Sequence, residues 1–245
     1  VDGRVASGGL SMTIDADVVR QGEHWQWQSS GSMGPGAILW ENWFIDLSDR
    51  QAQFELSVGA QPAQNQWFVE HLRWTDEPGI HLVGHGSWAD QSLQALNIEQ
   101  LSVDLAEFTP SYLSGWLATM ALDDLQLEGE LSGSVEFAGA LEHFDLNLDA
   151  VQLVDGRSRF ALNELTGHIK LAESLATIAM HHGVAPSPAF APAQSVSELS
   201  WDRLMVWGLE SGASSMQGIL QANAFQLTEQ SRFPLLDGAL RLDEL

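Results

Sequence analysis

The 245-residue chain contains no cysteine. That excludes disulfides, thiolate nucleophiles and cysteine-ligated zinc. It is poor in positive charge: 10 lysines and arginines stand against 33 aspartates and glutamates, for a net charge of −23. Nucleic-acid binding and charge-driven docking on anionic lipid both need a basic surface, so the charge argues against both. Solubility is the simplest use of the acidity. No run of 18 apolar residues is present to cross a membrane as a helix, and no signal peptide is legible at the start. A chain beginning at Val1 reads as an excised piece or a processed product, whose membrane anchor, if it has one, lies outside this segment. No Gly-x-Ser-x-Gly elbow and no phosphate loop occurs, so the chain reads as a non-enzyme without a cofactor.

What the chain does have is alternation. In 125–141, LQLEGELSGSVEFAGAL, every large apolar side chain has odd parity, and the even positions are Gln, Glu, Ser and Ala. That is a strand pattern over 17 residues, against a usual length of about 5–6. Left unfolded on itself, such a strand would reach about 56 Å at roughly 3.3 Å per residue. Residues 10–18, 38–47, 54–58, 67–74, 80–88, 93–105, 204–209, 216–227 and 235–242 also read as strands. Parity changes after Leu141, because Phe144, Leu146, Leu148 and Ala150 are even, which requires a turn or bulge at Glu142–His143. Asp155-Gly156 signals a hairpin, followed by strands bearing Phe160 and Leu162, then Leu165, Gly167, Ile169 and Leu171.

One segment follows helical spacing. Thr109 before Pro110 is a good N-cap with proline at the first helical position, and Tyr112, Leu113, Trp116, Leu117 and Met120 lie on one face. The spacing predicts one short amphipathic helix over 110–121, capping the sheet. Residues 183–195 hold three of the eight prolines and read as a surface loop, a candidate sub-boundary within one elongated segment spanning 1–245.

Glycine recurs on the apolar parity, at Gly129, Gly133, Gly167, Gly218 and Gly238. Each deletes an inward side chain and costs backbone entropy, so each marks a bend, a bulge or a close approach. The residues leave two compatible readings: sheet curvature, or a curled sheet whose apolar face stays open to a ligand. Spacings of 38, 51 and 20 residues between Gly129, Gly167, Gly218 and Gly238 exclude a fixed-period solenoid.

LSVDLAEFTPSYL (101–113), the 125–137 run, LNLDAVQLVDGRSRFALNELTGHIKL (146–171) and FPLLDGALRLDEL (233–245) together resemble the AsmA-like family of Gram-negative envelope proteins. The resemblance covers roughly residues 93–245. It implies a periplasmic protein tethered to the inner membrane, with a repeating β-groove that moves phospholipid towards the outer membrane. Its partners would be phospholipid acyl chains and neighbouring β-groove segments of the same chain, and its membrane contact would lie outside this segment.

The fold expected is therefore all-β: a long, curved, mostly antiparallel sheet forming an open hydrophobic groove. Leu125, Leu127, Leu131, Val135, Phe137, Phe144, Leu146, Leu148, Phe160, Leu162, Leu165, Ile169, Leu171, Leu236, Leu240 and Leu242 are its expected lining. His81 and His85 have the parity of the polar face, with no third ligand at a telling spacing, so no metal site is expected; His181-His182 would point to opposite faces. Asp123, Asp124, Glu128, Glu130 and Glu136 read as water-facing. Ten tryptophans, seven of them within the first 90 residues, support an alternative: a β-sandwich carbohydrate-binding or glycoside-acting module with stacking indoles.

Overall fold

The computed structural model describes residues 5–40, 43–90, 92–139, 141–171, 196–221, 224–227, 231–235 and 238–242. Strands dominate it. The first half holds β1 (Val5–Gly8), β2 (Met12–Gln21), β3 (His24–Met33), β4 (Ala37–Trp40), β5 (Trp43–Asp46), β6 (Ala52–Gln61), β7 (Gln66–Asp76), β8 (Ile80–Ala89) and β9 (Ser92–Asp104). A helical segment follows, and then β10 (Leu125–Ala138), β11 (Leu141–Asp155) and β12 (Phe160–Lys170). The remainder holds β13 (Ser197–Trp201), β14 (Arg203–Val206), β15 (Leu209–Ser211), β16 (Ser214–Gln221), β17 (Ala224–Leu227), β18 (Ser231–Leu235) and β19 (Gly238–Leu242).

Sixteen of these strands form one open antiparallel sheet, with β2 at one edge and β19 near the other. From β6 to β12 it is a meander, each strand pairing with the next in sequence. β1, β4 and β5 form a separate three-stranded sheet. The turns consequently fall alternately on two rims. One carries the connections after β2, β6, β8 and β10; the other carries those after β5, β7, β9 and β11. The proline-rich 183–195 segment lies outside the described residues, but β12 and β13 on either side of it are paired neighbours in the one sheet.

Several apolar runs that read as single strands are hairpins. Residues 38–47 fold into β4 and β5, with Trp40 opposite Trp43. Residues 216–227 divide between β16 and β17, and 235–242 between β18 and β19. In 204–209 the turn is Trp207-Gly208, with φ of 48° and 80° and Val206 opposite Leu209. Two successive positive φ values are what a two-residue hairpin requires. A tryptophan in that position, 80% exposed, hid the turn from a composition-based reading. The 125–141 run is likewise shorter than its alternation implied: β10 has 14 residues and the chain reverses after Ala138. The expected irregularity near Glu142 is present as a bulge, since Glu136 pairs with His143 but Phe137 with Leu141.

The helix starts earlier than expected. α1 (Leu105–Phe108) runs into a π-helical turn (Thr109–Leu113) and then α2 (Ser114–Thr119). Its cap is Asp104, whose carboxylate accepts from the amides of Ala106 and Glu107 at 3.0 and 3.3 Å. Leu105 continues the apolar parity of Val103, which disguised the first turn as strand. Pro110 sits inside the segment, where it cannot donate a backbone hydrogen bond, and the wide π turn falls at that position.

The helix covers one end of the apolar face. Leu105 packs with Ile80, Val103 and Val151 in a buried cluster, joined by Phe108, Tyr112, Trp74 and Leu82. The rings of Phe108 and Tyr112 stack 4.9 Å apart. A polar chain fixes the helix in place. Trp74 Nε1 donates to Tyr112 Oη at 3.1 Å, and Tyr112 Oη donates to the fully buried Asp76 at 3.0 Å. Arg50 stands 3.5 Å from the same carboxylate oxygen and also pairs with Glu107. Burial pushes the Tyr112 phenol well above its usual range, so it stays a donor.

A second clasp closes the β11–β12 turn on the same rim. The buried Asp155 carboxylate accepts from the Arg159 backbone amide and Nε at 2.9 Å each, and from Nη2 at 2.7 Å. Arg157 spans Asp123 and Asp124 at 3.0 Å each. The Arg159 side-chain hydrogen bonds hold the Asp155 pKa down to about 2. The ordinary value is about 3.9. The folded value is the lower one, so this stabilisation is present at neutral pH and is lost as pH falls from about 4 to about 2. Asp155→Asn is expected to melt earlier at neutral pH and to lose less stability across that acid window. Thermal melts followed by circular dichroism would test it; parallel curves for the two proteins would contradict the assignment.

Candidate functional site: an apolar sheet face

Strand register carries the apolar parity across the sheet in rows. Ile80, Val103, Leu131, Leu148, Gly167, Leu199 and Met216 are successive partners from β8 to β16. A second row runs from Ile14 through Gly31, Phe54 and Trp74, then Leu82, Leu101, Gly133, Leu146 and Ile169. A third contains Leu56, Leu72, Gly84, Ile98, Val135 and Phe144, and a fourth Val58, Val69, Gly86, Leu96, Phe137 and Leu141. Bulges preserve these rows where parity slips: in β9 the even-numbered Leu96 and Ile98 give way to the odd-numbered Leu101 and Val103 at Glu99–Gln100, both exposed.

The expected lining residues divide into groups. Leu127, Leu131, Leu148 and Leu165 pack against the helix-capped cluster, so the helix occupies that stretch of the face. Leu125 and Leu127 border a cleft of about 450 Å³ between β10 and the helix, with Pro110 and Leu117 opposite. Val135, Phe137, Phe144 and Ile169 are half-buried in the rows beyond the helix, and Leu146 among them is buried. Leu162 pairs with Leu153 and Leu204, and Phe160 with Val206, towards the far edge. Leu171 is buried and bridges to Leu220. Leu236 lies outside the described residues, as do the side chains of Leu240 and Leu242, whose backbones pair with Phe233 and Ser231.

The glycines act through the backbone. At Gly133, with φ +154°, a Cβ would fall 2.0 Å from the Asp145 carbonyl oxygen of β11. At Gly167, with φ +145°, it would fall 2.0 Å from the Glu198 carbonyl oxygen of β13. These positions let neighbouring strands coil tightly together and do not clear space above the face. Gly129 sits opposite Ala150 at a bulge, Gly218 pairs with both Ser197 and Leu227, and Gly238 partners Leu235 across the last hairpin.

The opposite face is polar. His81 meets Thr75 at 3.1 Å and His85 meets Glu99 at 3.1 Å. Glu128, Glu130 and Glu136 are exposed, and so are Asp123 and Asp124, which hold Arg157. Among the described residues no three His, Asp or Glu side chains converge as metal ligands. His181 and His182 lie outside the described residues. A depression of about 660 Å³ lies on this polar side, lined by Asp15, Asp17, Gln28, Glu55 and His71 among others. Its carboxylates repel anions. Comparison of the chain with protein-family models, with curated proteins and with solved structures returns no match.

The expected lining began at Leu125, but the same rows continue through β9, β8, β7 and β6 to β2. Alternation in 10–18 and 80–88 was the available signal. What joins those short runs to the 125–141 run is long-range strand order, which periodicity does not encode.

Proposed function

We propose that the chain is a non-enzymatic lipid-holding segment of a cell-envelope protein, and that acyl chains lie along the apolar rows of the sheet. The observation that carries this reading is the continuity of those rows over strands β2 to β12, with side chains half-exposed beyond the helix. An apolar sheet face is normally covered by a second layer, and a large uncovered apolar surface marks an interaction site. Acyl chains suit it because each buried methylene gains about 0.8 kcal/mol without needing a specific partner. The acidic outer face keeps such a surface soluble. Placement in the periplasm, tethering to the inner membrane and movement of phospholipid between membranes rest on the resemblance to the AsmA-like family.

The test is mass spectrometry of lipid extracted from the purified protein. Phospholipid is expected with the unmutated chain. Val135→Asp and Ile98→Asp, which place a charge in the half-exposed rows, are expected to reduce it several-fold, whereas Glu128→Gln on the polar face leaves it unchanged. Absence of lipid from the unmutated protein, or equal loss in all three variants, would overturn the reading.

A further inference from the structure

The two rims of the sheet differ in chemistry. On the rim that carries the helix, residues 46–51, 75–80, 103–125 and 155–160 hold nine carboxylates and three arginines. On the opposite rim, the described residues 20–25, 60–67, 88–90, 92–93, 137–139 and 141 hold two carboxylates and one arginine. In a chain of net charge −23 this second rim is close to neutral. It also bears exposed indoles. Trp67 and Trp88 are register partners, and Trp25 joins them through Ala60. Trp27 stands one rung inward, opposite Val58. Their exposures are 40% for Trp25, 44% for Trp27, 47% for Trp67 and 36% for Trp88. The Arg20 guanidinium lies 5.2 Å from the Trp25 ring centre, so this arginine sits over an indole of the rim.

We infer that this tryptophan rim docks on the surface of a neutral, zwitterionic phospholipid bilayer, so that the open end of the apolar face meets the lipid. The inference rests on the lipid-holding reading above and names where lipid would enter. Indoles favour the headgroup level of a bilayer, where an apolar ring and a polar N–H are both accommodated. Charge decides the orientation and the lipid. At a zwitterionic surface the near-neutral rim can enter the headgroup layer with few charges to desolvate, whereas the acidic rim would have to desolvate the exposed ones among its nine carboxylates and three arginines; an anionic surface would in addition repel the chain as a whole. The indoles stand on the same face as the row through Gly86 and Leu96 and lie next to it at the rim, so a docked rim places the bilayer against the uncapped side of the apolar face.

The experiment is flotation with phosphatidylcholine vesicles, paired with binding of monomeric lysophosphatidylcholine in solution. The unmutated chain is expected to float, its indole emission shifting to the blue and being quenched by bromine-labelled phosphatidylcholine. Adding phosphatidylglycerol to the vesicles is expected to weaken binding. The Trp25→Ser, Trp67→Ser, Trp88→Ser triple variant is expected to bind vesicles at least about tenfold less well while still taking up the monomeric lipid. Quenching in the unmutated protein keeps the test valid should the triple variant fail to fold. Failure to float while monomeric lipid still binds overturns the docking inference and spares the lipid-holding reading. Tryptophan-dependent flotation without monomer binding does the reverse. Indole emission that answers to soluble oligosaccharide and ignores vesicles overturns the inference in favour of a sugar-stacking surface.

Discussion

Gly133→Ala is expected to cost roughly 3 kcal/mol of stability, and to lower the melting temperature by about 6–12 °C. The residue sits mid-strand in β10, paired with Leu101 on one side and Leu146 on the other. Its φ of +154° is one that side chains other than glycine rarely adopt, and the added methyl would fall 2.0 Å from the Asp145 carbonyl oxygen. Neither cost can be relieved by a rotamer change, because the obstacle is backbone. Relief requires β10 and β11 to separate, which breaks ladder hydrogen bonds in the middle of the sheet. Gly8→Ala is the control: nothing lies within 4 Å of its Cβ position, and a change within about 0.5 kcal/mol is expected. Thermal melts of the two variants decide the matter. Equal melting temperatures would show that the coiling of β10 does not depend on this glycine.

The second large effect is expected at the buried polar chain beneath the helix. Arg50→Met removes the one cation beside the fully buried Asp76 and leaves its carboxylate with Tyr112 as its remaining hydrogen-bond donor among those described. Removing one partner of a buried ion pair costs about 3–5 kcal/mol, because the other charge stays desolvated and uncompensated. The low end is expected, since the Arg50 side chain keeps 16% exposure and its contact with Asp76 is 3.5 Å long. Adding Asp76→Asn to Arg50→Met is expected to recover part of the loss, because a neutral amide needs no counter-charge. The double-mutant cycle measures the coupling directly. If the two single losses simply add, Arg50 and Asp76 do not act as a pair. The change should also reach Trp74, whose indole N–H is held by Tyr112, so its fluorescence reports on the same event.

Both effects arise at contacts that local sequence pattern does not encode. Gly133 was legible as an interruption on the apolar parity, but alternation alone could not say whether it made room for a ligand or for a neighbouring strand. The answer depends on Asp145, whose carbonyl is brought alongside only by the β10–β11 pairing. Arg50, Asp76 and Tyr112 are 26 and 36 residues apart along the chain, and nothing in their local spacing predicts their meeting. The helix shows a milder form of the same limit. Its existence followed from the 112–120 pattern, while its true start at Leu105 was concealed by side-chain parity shared with β9. Hairpins such as Val206–Leu209 were missed because the positive-φ positions are occupied by Trp207 and Gly208 rather than by Asn-Gly or Asp-Gly. The neutral tryptophan rim was visible only as a cluster of indoles in the first half of the chain; its coherence depends on alternate turns falling on one side of a meander.

All-β character, strands with one apolar and one polar, acid-rich face, and a short helix among them are legible in the amino-acid sequence. Those properties follow from side-chain periodicity and composition, which act locally. Strand order, the coiling enforced by backbone contact at Gly133 and Gly167, the extent of the face covered by the helix and the division of charge between two rims were decided only in the tertiary structure. Each depends on contacts between residues distant in the chain, where hydrogen-bond register and burial, not local preference, set the outcome.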